Sequence, residues 1–218
     1  IYNCVDYLLD LGLLFVNLSG GECLLHPNFE EIYKYIANKG ILINILTNGS
    51  LLNEKLFELF DQYKPHKIEI SLYASDNESL KRNTRQTKVK LETIRENIIK
   101  LKHNNQNVVC KMPLNSVTSS SFEETLNWCE KNDIEFYYSD ELFDNYDGVS
   151  NKKYKLNNEI ILKRLKEDNI QLYKKMNFNL CQKKKCFDCI GGKYSFVISY
   201  DGYIYPCFEF RHIKEAMF

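Results

Sequence analysis

Three short polar turns each close an apolar run. Ser19-Gly20-Gly21-Glu22 follows LLFVNL, Thr47-Asn48-Gly49 follows ILINIL, and Ser71-Leu72-Tyr73 follows KIEI. Adjacent glycines let a ligand approach the backbone closely. A carboxylate just beyond them can hold an ammonium group by charge-assisted hydrogen bonding. Taken singly, each turn is better explained as loop chemistry, because βα turns favour Gly, Ser and Asn; three on one rim favour a site. A fourth group lies near the end of the chain, where Cys181, Cys186, Cys189 and Cys207 cluster. Clustered thiolates with a CxxC pair suit a metal better than a disulfide framework. Zinc and an iron–sulfur cluster are both open on these residues alone.

Something must bring the three turns to one place. Apolar runs alternate with helical patterns through the first two thirds of the chain. Strands are expected at 13–19, 41–47, 67–73, 107–114 and 134–139. Helices are expected at 29–40, 53–63, 89–105 and 119–133, with Gly40 as a C-terminal stop and Ser120 or Ser121 as a cap. The helix at 89–105 carries apolar residues at 91, 94, 98 and 101, one buried stripe. Regular alternation at this spacing specifies a parallel α/β sheet with covering helices. In such sheets ligands sit beyond the carboxyl ends of the strands, which is where the three turns fall. The pattern breaks after Ser139. A boundary is expected near 140–155, then a short helix at 157–167, then the cysteine-rich tail. There YSFVISYDGYIYPC reads as a hairpin turning at Asp201-Gly202.

The bulk properties exclude several classes. The chain has 218 residues, 44% hydrophobic and 27% charged, with 29 Lys+Arg against 29 Asp+Glu. A net charge of zero advertises neither nucleic acid nor an anionic membrane as partner. No apolar run approaches the ~20 residues of a bilayer span, and a cytoplasmic protein without membrane contact is expected. Of the other four cysteines, Cys110 and Cys129 fit small buried hydrophobes. The chain starts at Ile1 within a helical pattern and stops at Phe218, which reads as a piece of a longer protein.

Taken together, the motifs resemble a family. LSGGECLLHPNFEEIYKYIANKGILINILTNGSLL is similar to the radical SAM superfamily, whose members carry a GGE motif, a helix, a strand and a TNG turn. IEISLYASDNESLKRNTR resembles the strand whose terminal Ser faces the cofactor, and NVVCKMPLNSVTSSSFEETLNWCEKNDIEF the next βα unit. Cys189, twelve residues, Gly202, four residues and Cys207 resemble the opening of a SPASM domain. The resemblance implies a partial (β/α)6 radical SAM barrel over 1–145, a connector with a helix over 146–180, and the start of a small SPASM domain over 181–218.

It also implies cofactors and roles. S-adenosylmethionine would lie on Gly20, Gly21, Glu22, Thr47, Asn48 and Ser71, with Arg85 able to reach its carboxylate; Arg85 fits a solvated charge as well. Gly20, Gly21 and Glu22 would take the methionine ammonium, Ser71 the carboxylate or ribose, and Asn48 the adenosine side. A radical SAM [4Fe–4S] cluster needs a CxxxCxxC loop, which these residues lack, so the chain by itself is expected to be inactive. Cys189 and Cys207, with Cys186 and Cys181, would bind auxiliary [4Fe–4S] iron; a zinc site is the alternative. Cys23 stands where the family usually has Pro, and His26 shapes the HP turn. The implied activity is oxidative maturation of a ribosomally made peptide or protein, with electrons from a flavodoxin or ferredoxin. The alternatives are sulfatase-maturase-like formylglycine formation, a small-molecule radical enzyme, and a non-catalytic zinc-bearing peptide scaffold.

Overall fold

Five strands alternate with helices as the hydrophobic pattern requires. The computed structural model describes residues 1–85, 88–140, 142–145, 147–156 and 191–207. The chain divides into two units, Ile1–Ser139 and Asp140–Phe218. The first unit runs α1 (Tyr2–Asp10), β1 (Phe15–Leu18), α2 (Phe29–Asn38), β2 (Leu42–Thr47), α3 (Glu54–Gln62), β3 (Lys67–Ser71), α4 (Asn77–Thr84), α5 (Leu91–His103), β4 (Val108–Pro113), α6 (Phe122–Lys131) and β5 (Glu135–Ser139). All five strands are parallel and lie in chain order. Right-handed crossovers taken always in one direction place every connecting helix on the same face. This is the winding of a barrel, not of a doubly wound sheet, and it gathers the strand ends on one rim.

The helix-side face of the sheet is apolar. Ile43, Ile45, Ile68, Ile70 and Cys110 alternate inward along their strands and join the core with Phe60, Ile94 and Ile98. Leu91, Ile94, Ile98 and Leu101 of α5 are all buried, the stripe expected from the sequence. Burying one such aliphatic side chain contributes about 1.5–3 kcal/mol. Tyr33 is fully buried, and its hydroxyl donates to the Tyr63 carbonyl at 2.6 Å, so its one polar atom is satisfied.

The opposite face carries the polar residues Asn17, Asn44, Lys67, Glu69, Ser71, Lys111, Glu135 and Tyr137, interspersed with Phe15, Leu42, Leu46 and Val109. Because the pleat has period two, one strand serves both faces.

Two features differ from the sequence expectation. Residues 77–84 form a helix that the apolar pattern does not signal, since NESLKRNT is almost wholly polar. Asp76 holds it in place: its carboxylate accepts from the backbone N–H of Glu78 and Ser79, while the Ser79 hydroxyl accepts from the Asp76 N–H. That is a capping box, and its Asp-x-x-Ser spacing is the one signal the sequence carries for it. Conversely, neither Ser120 nor Ser121 caps α6 with its side chain; a single 3₁₀ turn, Ser119–Ser121, leads into the helix and takes that place.

In the second unit, β6 (Val197–Ile198) and β7 (Ile204–Tyr205) pair antiparallel. Gly202 has φ +89 and its N–H bonds to the Ser199 carbonyl, closing the expected turn. The helix expected at 157–167 lies outside the described residues. Among the described residues no helix is long and apolar enough to cross a membrane.

Candidate functional site

The turns after β1 and β2 are joined on the rim by hydrogen bonds, and the end of β3 lies beside them. Glu22 is the centre of the contact. Its Oε1 accepts from the Leu24 N–H at 3.1 Å and from the Thr47 hydroxyl at 2.8 Å. Its Oε2 accepts from the Asn48 N–H at 2.7 Å. The first bond caps the 3₁₀ turn Cys23–Leu25, and the other two tie the β1 loop to the β2 loop. The parallel register pairs Leu18 with Ile45, which sets the two loops side by side. The Thr47 hydroxyl is buried and also accepts the Gly49 N–H at 3.1 Å, while Asn48 Oδ1 accepts the Ser50 N–H at 2.8 Å. Thr47 and Asn48 therefore each hold the backbone two residues further on.

An ionised carboxylate offers about four acceptor positions, and the fold fills three of those on Glu22. The remaining one is on Oε2. Immediately upstream, none of the turn and loop hydrogen bonds among the described residues uses a backbone group of Ser19, Gly20 or Gly21. Gly20 has φ +144 and no atom within 4 Å of where a Cβ would stand. A bare, glycine-lined backbone beside one open carboxylate position fits a ligand ammonium group. The donor set thus fits the amino-acid end of S-adenosylmethionine.

Ser71 ends β3, one strand beyond Thr47, with its neighbour Ile70 in register with Thr47. Its hydroxyl makes no protein hydrogen bond among the described residues, leaving it available at the rim. Asn48 and Gly49 are set by the core beneath: Gly49 has φ +74, its carbonyl accepts from Asn97 Nδ2 at 2.9 Å, and a Cβ there would meet Ile70 Cγ2 at 3.1 Å. Only glycine combines that conformation with that close approach.

Arg85 is not drawn into this cluster. It caps the C-terminus of α4 in the left-handed region, φ 58, and is exposed. Its side chain makes no hydrogen bond or ion pair with the described residues. Cys23 is part of the rim: its thiol donates to the Leu46 carbonyl at 3.4 Å and lies 3.9 Å from Glu22 Oε1. Burial first, and then the Glu22 charge, push this thiol up to about 12, so it is a neutral filler here rather than a nucleophile. His26 shapes its turn, as expected: Nδ1 accepts the Asn28 N–H at 3.1 Å. Cys110 and Cys129 are buried in the core. Cys207 follows β7 and is half-buried, while Cys181, Cys186 and Cys189 lie outside the described residues. Among the described residues no three His, Cys, Asp or Glu side chains are grouped to hold a metal, so no metal geometry is assigned.

The polar face below the rim is a feature that sequence reasoning missed. Register sets Ser71, Lys111 and Tyr137 in one row across β3, β4 and β5. The row beneath holds Glu69, Val109 and Glu135. Glu69 pairs with Lys67 at 2.6 Å, and Glu135 accepts from the Tyr137 hydroxyl. The only signal for it is period-two polarity in KIEIS and VVCKMP, which short strands state weakly.

Over 59 residues the chain is 41% identical to the antilisterial bacteriocin subtilosin biosynthesis protein AlbA of Bacillus subtilis (strain 168), covering 27% of this chain and 13% of AlbA. Over 70 residues it is 43% identical to the S-adenosylmethionine-dependent nucleotide dehydratase of Selenomonas ruminantium, covering 30% of this chain and 26% of that protein. The aligned part is therefore a minor share of either relative. Streptococcus suis SuiB bound to its precursor peptide SuiA has the same fold, with a TM-score of 0.72 at 16% identity, covering 100% of this chain and 54% of SuiB. Native anSMEcpe with bound AdoMet has a TM-score of 0.68 at 16% identity, covering 99% of this chain and 66% of that one. Residues 1–129, which hold all three rim turns, match the radical SAM superfamily, and the chain belongs to it.

Proposed function

We propose that the protein containing these residues binds S-adenosylmethionine on the rim built by Gly20, Gly21, Glu22, Thr47, Asn48 and Ser71, and uses it to modify a ribosomally made peptide or protein. The observation that carries the reading is the Glu22 carboxylate, held by Thr47 and Asn48 with one acceptor position left beside a bare glycine backbone. When bound to a [4Fe–4S] cluster and reduced by one electron, this cofactor supplies a 5′-deoxyadenosyl radical that takes hydrogen from a substrate carbon. The chain's own residues bind and orient. Glu22 Oε2 and the Gly20–Gly21 carbonyls accept from the methionine ammonium, and the Ser71 hydroxyl donates to its carboxylate or to the ribose. A hydrogen-bonded rim holds the cofactor in one orientation against the sheet, which is the protein's share of such chemistry.

A peptide substrate is supported by the identity to a bacteriocin biosynthesis protein and by the likeness in fold to a protein solved with a precursor peptide bound. Maturation of a ribosomally made peptide is the favoured reading, and sulfatase-maturase-like formylglycine formation is the narrower alternative. The tail is read as the start of a SPASM domain, Cys207 with Cys189, Cys186 and Cys181 binding auxiliary clusters, and a flavodoxin or ferredoxin in the cytoplasm supplying electrons. A nucleotide substrate is the second reading, favoured by the 43% identity to a nucleotide dehydratase.

The full-length protein, purified without oxygen, tests this. Reductant-dependent release of 5′-deoxyadenosine, with iron and sulfide in the protein, is the expected result. Zinc without sulfide and an intact cofactor would replace the enzyme with a peptide-binding scaffold.

A further inference from the structure

We propose that Lys111 is a carboxylate-binding residue of this site, a role that rests on the rim binding S-adenosylmethionine. Four observations lead to it. First, β4 is apolar and buried at Val108, Val109, Cys110 and Met112, and Lys111 is the one charged residue it carries. Its side chain is exposed on the polar face, opposite the helix-side core. Second, register places it beside Ser71, the rim residue whose hydroxyl has no protein partner among the described residues, and Tyr137 stands on its other side. The Leu72 N–H donates to the Lys111 carbonyl at 3.0 Å, so the backbone beneath the pair is fixed. Third, the nearby acids are engaged elsewhere: Glu69 holds Lys67 and Glu135 accepts from Tyr137. Fourth, among the described residues Lys111 has no ion pair, unlike Lys39, Lys67, Lys100 and Lys102.

A lysine ammonium carries three donors and no acceptor. Beside a serine hydroxyl at the carboxyl ends of parallel strands, it complements a ligand carboxylate. Two molecules could bring that group: the methionine part of S-adenosylmethionine, and an acidic residue of the substrate. Arg85 competes for the first role in the sequence; it caps α4 and its side chain has no hydrogen bond or ion pair among the described residues, whereas Lys111 is level with Ser71 by register.

Equilibrium binding to the full-length, cluster-loaded protein separates the sources, using S-adenosylmethionine, its decarboxylated analogue, and N-acetylglutamate methylamide as a minimal acidic peptide. Lys111→Met removes the charge and keeps the stem; Lys111→Arg restores a charge. If the cofactor supplies the carboxylate, Lys111→Met weakens S-adenosylmethionine about 10-fold or more, the scale of a hydrogen bond to a charged group. The decarboxylated analogue is then unaffected, and Lys111→Arg recovers most of the loss. If the substrate supplies it, both adenosyl ligands bind as in wild type, while the glutamate amide binds the cofactor-loaded wild type and Lys111→Arg but not Lys111→Met. Equal binding of all three ligands to wild type and Lys111→Met overturns the assignment, and wild-type cofactor binding then leaves the proposed function standing. Failure of the wild type itself to bind S-adenosylmethionine overturns both. None of these readouts requires the radical reaction.

Discussion

Thr47→Val is the sharpest probe of the rim, because it deletes one buried hydroxyl and keeps the β-branched shape. The hydroxyl donates to Glu22 Oε1 at 2.8 Å and accepts the Gly49 N–H at 3.1 Å. A hydrogen bond to a charged acceptor contributes about 1.5–3 kcal/mol, and an N–H left unpaired in a buried place costs about 1–3 kcal/mol. The loss should therefore lie at about 2–5 kcal/mol, a fall in thermal midpoint of roughly 5–15 °C for a unit of this size. Denaturant unfolding followed by Trp128 fluorescence reports the first unit, since this is the chain's single tryptophan and sits on α6. Thr47→Ser restores the hydroxyl and should recover most of the loss. Glu22→Gln completes a double-mutant cycle; direct partners should couple by about 1–2 kcal/mol. A Thr47→Val chain within about 0.5 kcal/mol of wild type, or a coupling indistinguishable from zero, would refute the clamp.

Two further tests address the same rim. Gly49→Ala meets both a positive φ and Ile70 Cγ2 at 3.1 Å, while Gly40→Ala meets a positive φ in open space; strain alone costs about 1–2 kcal/mol and overpacking about 1–3 kcal/mol more. Matched unfolding curves should show the larger loss at Gly49, and equal losses would contradict the close approach. Cys23 stays protonated in the fold up to about 12, above the ordinary thiol value of 9.0. Its folded pKa is raised, so the unfolded state releases the proton first. The contribution is complete below pH 9 and declines as pH climbs from 9 towards 12. Alkylation at pH 8, mapped by mass spectrometry, should modify Cys23 far more slowly than Cys4; equal rates would show an open, ionisable thiol.

Much of the site is legible in the order of the residues alone. LSGGE and LTNG announce themselves because glycine turns after apolar runs are local events, encoded in neighbouring residues. The buried stripe of α5 is legible for the same reason. Less visible is α4, whose polar residues leave no apolar period; its stability begins with the Asp76–Ser79 cap, a two-residue signal. Ser121 does stand at the N-cap of α6, but it ends a 3₁₀ turn there and its side chain makes no capping hydrogen bond. Arg85 ends α4 in the left-handed region and is exposed, a conformation its polar neighbours in sequence do not announce.

The sequence by itself determined that apolar strands alternate with amphipathic helices, and that polar, glycine-bearing turns cap the strands. It also placed a carboxylate after the first of these and cysteines in the tail. Only the tertiary structure decided what those residues do to one another. Glu22 meets Thr47 and Asn48 because β1 and β2 pair in parallel with Leu18 beside Ile45. Lys111 stands beside Ser71 because β3 and β4 do the same. Local chemistry fixes which way a side chain points from its own strand, through the period of the pleat. Which side chain it then faces on the next strand depends on register, and register is set by the packing of the whole helix-side core.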